Sequence, residues 1–108
     1  MKNRVQLIGH VGNDPEVKTF EVGKVANLTL ATNGNYTNKR GEKVEQTDWH
    51  RVVAWDNNAD IIEKFVTKGK EIAIEGKLST RSYDDKDGNK RYITEVVVSD
   101  IMLMGKNV

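Results

Sequence analysis

The chain has 108 residues, enough for one domain with a small core, and its lack of cysteine excludes disulfides, thiolate metal sites and Cys nucleophiles. Two histidines leave little for a metal centre or a catalytic triad, and a net charge of +1 means that any polyanion must be gripped by a local basic surface. No apolar run approaches membrane-spanning length, and Met-Lys-Asn-Arg-Val runs into a strand pattern without a signal-peptide core, so a soluble, intracellular single domain is expected over 1–108.

Arg4 to Gly12 alternates, with Val5, Leu7 and Val11 on one parity and Gln6, Ile8 and His10 on the other. It reads as a strand in which Gly9 marks a bend or a close backbone approach. Asn13-Asp14-Pro15 is a turn. Glu16 to Phe20 begins a second strand, interrupted by a turn near Gly23. That strand resumes from Val25 to Thr32, where Ala26, Leu28 and Leu30 form an apolar row. Asn33 to Glu45 is a polar loop carrying Tyr36, Lys39, Arg40 and Lys43; composition alone makes it an ordinary hairpin connection.

Gln46 to Trp55 is the most informative stretch. It is rich in aromatic and β-branched residues, lacks Gly and Pro, and reads as a strand. Alternation puts Trp49, Arg51, Val53 and Trp55 on one face and His50, Val52 and Ala54 on the other. Two indoles on one face would ordinarily suit a core. Arg51 argues for an exposed face instead, since Arg is almost never fully buried unless paired. Exposed indoles around a cation suit stacking on bases and contact with phosphate.

Asp56-Asn57-Asn58 offers helix N-caps, and Ile61, Ile62, Phe65 and Val66 form a core-facing stripe at helical spacing. Lys68 falls in the expected last turn and Gly69 at the expected C-cap. Lys70 to Tyr83 is a long strand with Ile72, Ile74 and Leu78 inward and Glu71, Glu75, Lys77, Arg81 and Tyr83 outward. Asp84 to Asn89 is a charged loop around the tight-turn pair Asp87-Gly88. The return strand carries Arg91, Tyr92, Ile93 and Val96-Val97-Val98, and Ile101 to Met104 is the last apolar segment.

This order predicts an all-β OB-fold, a five-stranded Greek-key barrel with one short α-helix between strands 3 and 4. Fold does not fix function, so the site must carry that argument. Trp49, Arg51 and Trp55 lie on the third strand, Tyr36 with Lys39, Arg40 and Lys43 in the loop before it. Tyr83 and Arg81 lie on the other long hairpin, with Lys77 along the same strand and Lys90 and Arg91 opposite. Aromatic platforms flanked by cations suit single strands, whose base faces are open.

The stretches Asn3 to Val17, Val25 to Thr32, Glu45 to Val53, Ile74 to Tyr83 and Arg91 to Val98 resemble the bacterial single-stranded-DNA-binding proteins, over essentially the whole chain. The resemblance implies an OB-fold homotetramer that wraps single-stranded DNA in replication, repair and recombination, in the cytoplasm with the nucleoid, without a cofactor, a metal or a membrane. It also implies that Trp49 is the family's stacking tryptophan and that Trp55 stands where many members have phenylalanine. Tyr36 and Tyr83 stand where some members have tryptophan, and Ser79 where a basic residue is familiar. His50 matches a histidine used at the subunit interface. The family's flexible linker and acidic, hydrophobic tip, which recruit replication and repair proteins, are expected to be absent from these 108 residues.

Three other readings compete. A nuclease would need Glu75, Asp84, Asp85 and Asp87 to hold a hard cation, but they alternate with Lys or crowd a turn, so no enzyme is expected. A primosome-type interaction module would not depend on Trp49. RNA would stack on the same platforms, since only specific contacts distinguish the 2′-OH.

Overall fold

The computed structural model describes residues 3–104. The expectations about how the chain starts at Met1 and stops at Val108 lie outside these residues. The elements are β1 (Val5–Val11), β2 (Glu16–Phe20), β3 (Gly23–Asn33), β4 (Tyr36–Thr37), β5 (Lys43–Val44), β6 (Thr47–Trp55), α1 (Asn57–Phe65), β7 (Glu71–Asp84) and β8 (Lys90–Leu103).

Five of the strands run β1-β7-β8-β6-β3, and β1 closes the ring by pairing His10 with Ala31 and Val11 with Leu30 of β3. The β6–β8 contact is parallel, and the other pairings in the ring are antiparallel. This is the expected OB-type barrel, with its helix between the third and fourth barrel strands. Gly9 is where β1 crosses to β3, because a Cβ there would run into the Ala31 carbonyl.

The interior is built from alternate residues of each strand. Val11, Ala26, Leu28, Leu30, Val52, Ala54, Ile72, Ile74, Val96 and Val98 are buried, and Ala59, Ile62 and Val66 close the barrel from the helix side. Lys24 ties the helix to β3, with Nζ at 2.7 Å from Asp60 Oδ1 and 2.8 Å from Glu63 Oε1. The Lys24 ammonium holds the Asp60 carboxyl below its ordinary range.

Several local expectations need correction. Glu16 to Thr32 is not one interrupted strand but a β2–β3 hairpin, in which Val17 pairs with Ala26 and Phe20 with Gly23. The polar loop contains a small hairpin of its own, β4–β5. Phe65 is 56% exposed, because it lies about a quarter turn round the helix from the line of Ala59, Ile62 and Val66.

The helix stops at Phe65, where Val66 turns extended, so Lys64 and not Lys68 occupies its last turn. Gly69, at φ +88°, serves a separate turn and donates its N–H to the Val11 carbonyl at 2.7 Å. Asp56 is the N-cap residue, but its side chain makes no cap bond to the helix. Its carboxylate accepts the Lys24 N–H at 3.3 Å instead.

Leu78 was expected inside and is 49% exposed. The pairing of β1 with β7 ends at Val5 and Gly76. From Lys77 onward β7 has only β8 beside it, out to the Asp84–Lys90 pair, and the two strands leave the barrel as an arm. Asn3 replaces a strand at Leu78, its amide donating to the Leu78 carbonyl and accepting its N–H, both at 2.9 Å. Where the arm joins the barrel, Ser99 is the extra residue of a bulge, and its hydroxyl donates to the Glu75 carbonyl at 3.0 Å.

Candidate nucleic-acid interface

The outward rows of the sheet assemble the site. Cross-strand register puts Ala31 beside Trp49, Thr29 beside Arg51, Asn27 beside Val53 and Val25 beside Trp55. Trp49 is 61% and Trp55 48% exposed. They stand six residues apart on one strand, about 20 Å along its axis. Arg51 between them is exposed and has no carboxylate partner among the described residues. Val53 shares their parity but is buried and floors a groove of about 200 Å³. Asn13, Glu16, Asn27, Thr29, Arg51, Arg81, Ile93 and Glu95 line that groove.

The groove therefore has two walls, the β3–β6 sheet and the β7–β8 arm. The turn after β1 is pinned against the first wall, since Asn13 Oδ1 accepts the Thr29 N–H at 2.9 Å and the Thr29 hydroxyl at 2.6 Å. Gly12 lies under Trp49, and a Cβ there would run into the indole. Glycine is needed at this position because the indole rests on its backbone.

The sequence-predicted residues divide among the sheet wall, the arm and the β4–β5 hairpin, with Lys90 and His50 on reverse faces. Trp49, Arg51 and Trp55 share the sheet wall, and Arg81 faces them across the groove. Arg81 and Tyr83 share a parity on the arm with Lys77, and Tyr83 pairs directly with Arg91. Tyr36 pairs with Val44 on the β4–β5 hairpin, which continues the β3–β6 ribbon beyond Asn33 and Thr47. Asn38 ties the tip of that hairpin, its Oδ1 accepting the Arg40 and Glu42 N–H groups at 2.9 and 3.0 Å, so Lys39 and Arg40 are presented on a defined turn, with Lys43 beside it opposite Thr37.

Lys90 is not opposite Tyr83. It pairs with Asp84 on the reverse face of the arm, 5.9 Å over the ring of Tyr92, an exposed aromatic that strand reading passed over. His50 points away from the Trp face, as expected. It is half-buried with its ring Nε2 2.9 Å from the Thr32 hydroxyl, rather than free.

Two cations of the arm already have partners. Arg81 Nε donates to Glu95 Oε1 at 3.0 Å, and Arg91 Nε to Asp85 Oδ2 at 2.9 Å. Glu95 and Asp85 are largely covered, but both guanidinium groups are exposed to solvent, where such pairs are worth about 1 kcal/mol, so a phosphate can compete for the guanidinium. Glu95→Gln should therefore strengthen polyanion binding. It should also steepen the slope of log K against log salt by up to about 0.7 per subunit, the weight of one phosphate neutralised on a single strand. Arg81→Ala made in the Glu95→Gln background should take that gain back, as read by anisotropy from low to moderate salt.

Asp85 also organises the arm's loop, its Oδ1 accepting the Asp87 and Asn89 N–H groups at 2.9 Å each. Arg91, then the Asn89 N–H, hold its carboxyl below the ordinary range. A depressed carboxyl stabilises the loop above its unfolded pKa and loses that contribution as pH falls through the folded value. The Asp87 and Asn89 amide resonances should thus titrate together, below the usual Asp range, and Asp85→Asn should abolish the transition.

Of the acids weighed as cation ligands, Asp85 is thus engaged by Arg91 and its own loop, and Glu75 is engaged as well. Glu75 is held by Arg4 and Gln6, at 2.7 and 3.1 Å. Among the described residues no cluster of three His, Cys, Asp or Glu is placed to hold a metal ion. No helix among them is long and apolar enough to cross a membrane.

Residues 2–104 match the model of the single-strand binding protein family. The single-stranded DNA-binding protein 1 of Chlorobaculum tepidum is 48% identical over 105 residues, which are 95% of this chain and 65% of that protein. The single-stranded DNA-binding protein of Bacteroides thetaiotaomicron is 46% identical over 94% of this chain and 65% of its own length. The chain thus spans slightly less than two thirds of these relatives. Among solved structures, a Plasmodium falciparum SSB in complex with ssDNA superposes with a TM-score of 0.90 and 35% identity over 97% of both chains. The barrel, the exposed tryptophan face and these matches agree, and the chain belongs to the single-strand binding protein family.

Proposed function

We propose that this chain binds single-stranded DNA with little sequence preference, protecting and organising it during replication, repair and recombination. Bases stack on Trp49 and Trp55, with Tyr36 and Tyr83 extending the platform. Arg51, Arg81, Arg91, Lys77 and the Lys39/Arg40/Lys43 hairpin neutralise phosphates, and Lys90 serves strand that passes behind the arm. The observation that carries this reading is the pair of exposed indoles flanking a guanidinium that has no carboxylate partner among the described residues, all on one sheet face. Such a face offers π-contact and charge but no helix to enter a duplex groove. The Plasmodium relative, whose structure contains ssDNA, supports the same occupant.

One barrel covers about 4–16 nucleotides, and the chain's net charge is only +1, so the proposal includes a homotetramer that joins several faces. In this proposal His50, on the reverse side of β6, meets a neighbouring subunit. The protein works in the cytoplasm with the nucleoid, and replication and repair proteins join through any tail that follows this domain.

Anisotropy with dT oligomers and with duplexes of equal length tests the binding. The dT oligomer should bind far more tightly, and equal affinity would overturn the proposal. Light scattering should give four chain masses, reduced by His50→Glu; a monomer at micromolar concentration would remove the tetramer from the proposal.

A further inference from the structure

The edge strand β2 turns its even-numbered residues toward the groove. Val17 packs against the core, whereas Glu16 lines the groove beside Asn27 and Arg51. The register then carries this face outward. Lys18 pairs with Val25, and Val25 with Trp55, so the three form one row across the sheet. Phe20, opposite Gly23, stands one step beyond that row on the same face and is 52% exposed. With strands about 4.8 Å apart and about 3.4 Å of rise per residue, its backbone lies about 10 Å across and about 7 Å along from that of Trp55. Neither Phe20 nor Lys18 was singled out by the strand pattern.

An exposed phenylalanine at the end of a track of exposed indoles, with an ammonium two residues before it, repeats the chemistry of the main face. Lys18 is exposed and has no carboxylate partner among the described residues. Glu16 and Glu21 are the acids on and beside the strand, and the Asp56 carboxylate lies over Gly23, where it accepts the Lys24 N–H. Glu16 faces the groove floor two rows from Phe20. We propose that Phe20 and Lys18 form a further subsite for single-stranded nucleic acid, Phe20 stacking a base and Lys18 meeting a phosphate, so that the strand leaves the Trp49–Trp55 face over the β2 edge. This inference rests on the reading of that face as the binding surface.

A ladder of dT oligomers tests it. For oligomers long enough to pass Trp55, Phe20→Ala should weaken binding about fivefold or more, the low end of one stacked base. It should leave the shortest bound oligomers unaffected. Phe20→Leu, which keeps the apolar bulk but not the ring, should show most of the same loss while folding like the parent. Lys18→Ala should flatten the salt slope by up to about 0.7 per subunit with the long oligomers only. In a Trp49→Phe, Trp55→Phe background, Phe20→Trp should give emission that dT quenches.

Unaltered affinity along the whole ladder, or no quenching at saturation, would overturn the subsite. So would a change in assembly mass with affinity per subunit retained, since that makes Phe20 a contact between copies. The parent protein in the same titrations separates the two levels. If it fails to bind dT, the main face has been misread; if it binds while Phe20 variants are silent, only the β2 subsite falls.

Discussion

Replacing both Trp49 and Trp55 with alanine should lower affinity for dT oligomers by about 2–6 kcal/mol per occupied subunit, because each stacked base contributes about 1–3 kcal/mol. The loss should be nearly the same at every salt concentration, since π-contact is not a charge interaction. Arg51→Ala should behave oppositely, flattening the salt slope by up to about 0.7 per subunit. Single Trp→Phe changes should recover part of the affinity, as a smaller ring still stacks. Both indoles lie outside the buried core, so circular dichroism should show a folded double variant. A double variant that binds dT normally, or that changes only the salt slope, would contradict the stacking role.

Gly12→Val should damage binding almost as much as the loss of Trp49, by up to about 1–3 kcal/mol per subunit. The new side chain would occupy the space where the indole now rests. What it meets is the far end of a side chain and the Thr29 hydroxyl, not the backbone of a neighbouring strand. The barrel can therefore stay folded while Trp49 is displaced. A shift in Trp49 emission together with weaker dT binding is the expected result, with Gly12→Ala intermediate. Unchanged affinity with a displaced indole would show that its resting place does not matter for binding.

The Trp49/Arg51/Trp55 face was legible because a half-exposed strand writes its two faces as alternating residues. The barrel was legible because the helix signal interrupts a run of strands at one place. Leu78 could not be placed this way, since parity says which residues share a face but not where a neighbouring strand stops covering it. Lys90 went to the wrong face for want of a register. Counting outward from the Asp85–Asn89 loop would have paired Tyr83 with Arg91 and Asp84 with Lys90, as observed. That count also brings Ser79 opposite Glu95, within diagonal reach of Arg81. Phe65 was misjudged because its helical spacing from Ile61 and Ile62 put it in the apolar stripe, whereas the buried line runs through Ala59, Ile62 and Val66, about a quarter turn away. The Gly12–Trp49 contact joins residues 37 positions apart through β1, β3 and β6, and no local pattern encodes such a meeting.

The central claim is that the outward face of β6 is where single strands stack. Tryptophan fluorescence of a Trp55→Phe protein, which reports Trp49 alone, tests it in one titration with dT oligomers. The account predicts saturable quenching, with an amplitude that salt leaves nearly unchanged at saturation, and no quenching by an equal length of duplex. Saturable binding that leaves Trp49 emission unaltered would contradict it and place the DNA path elsewhere on the barrel.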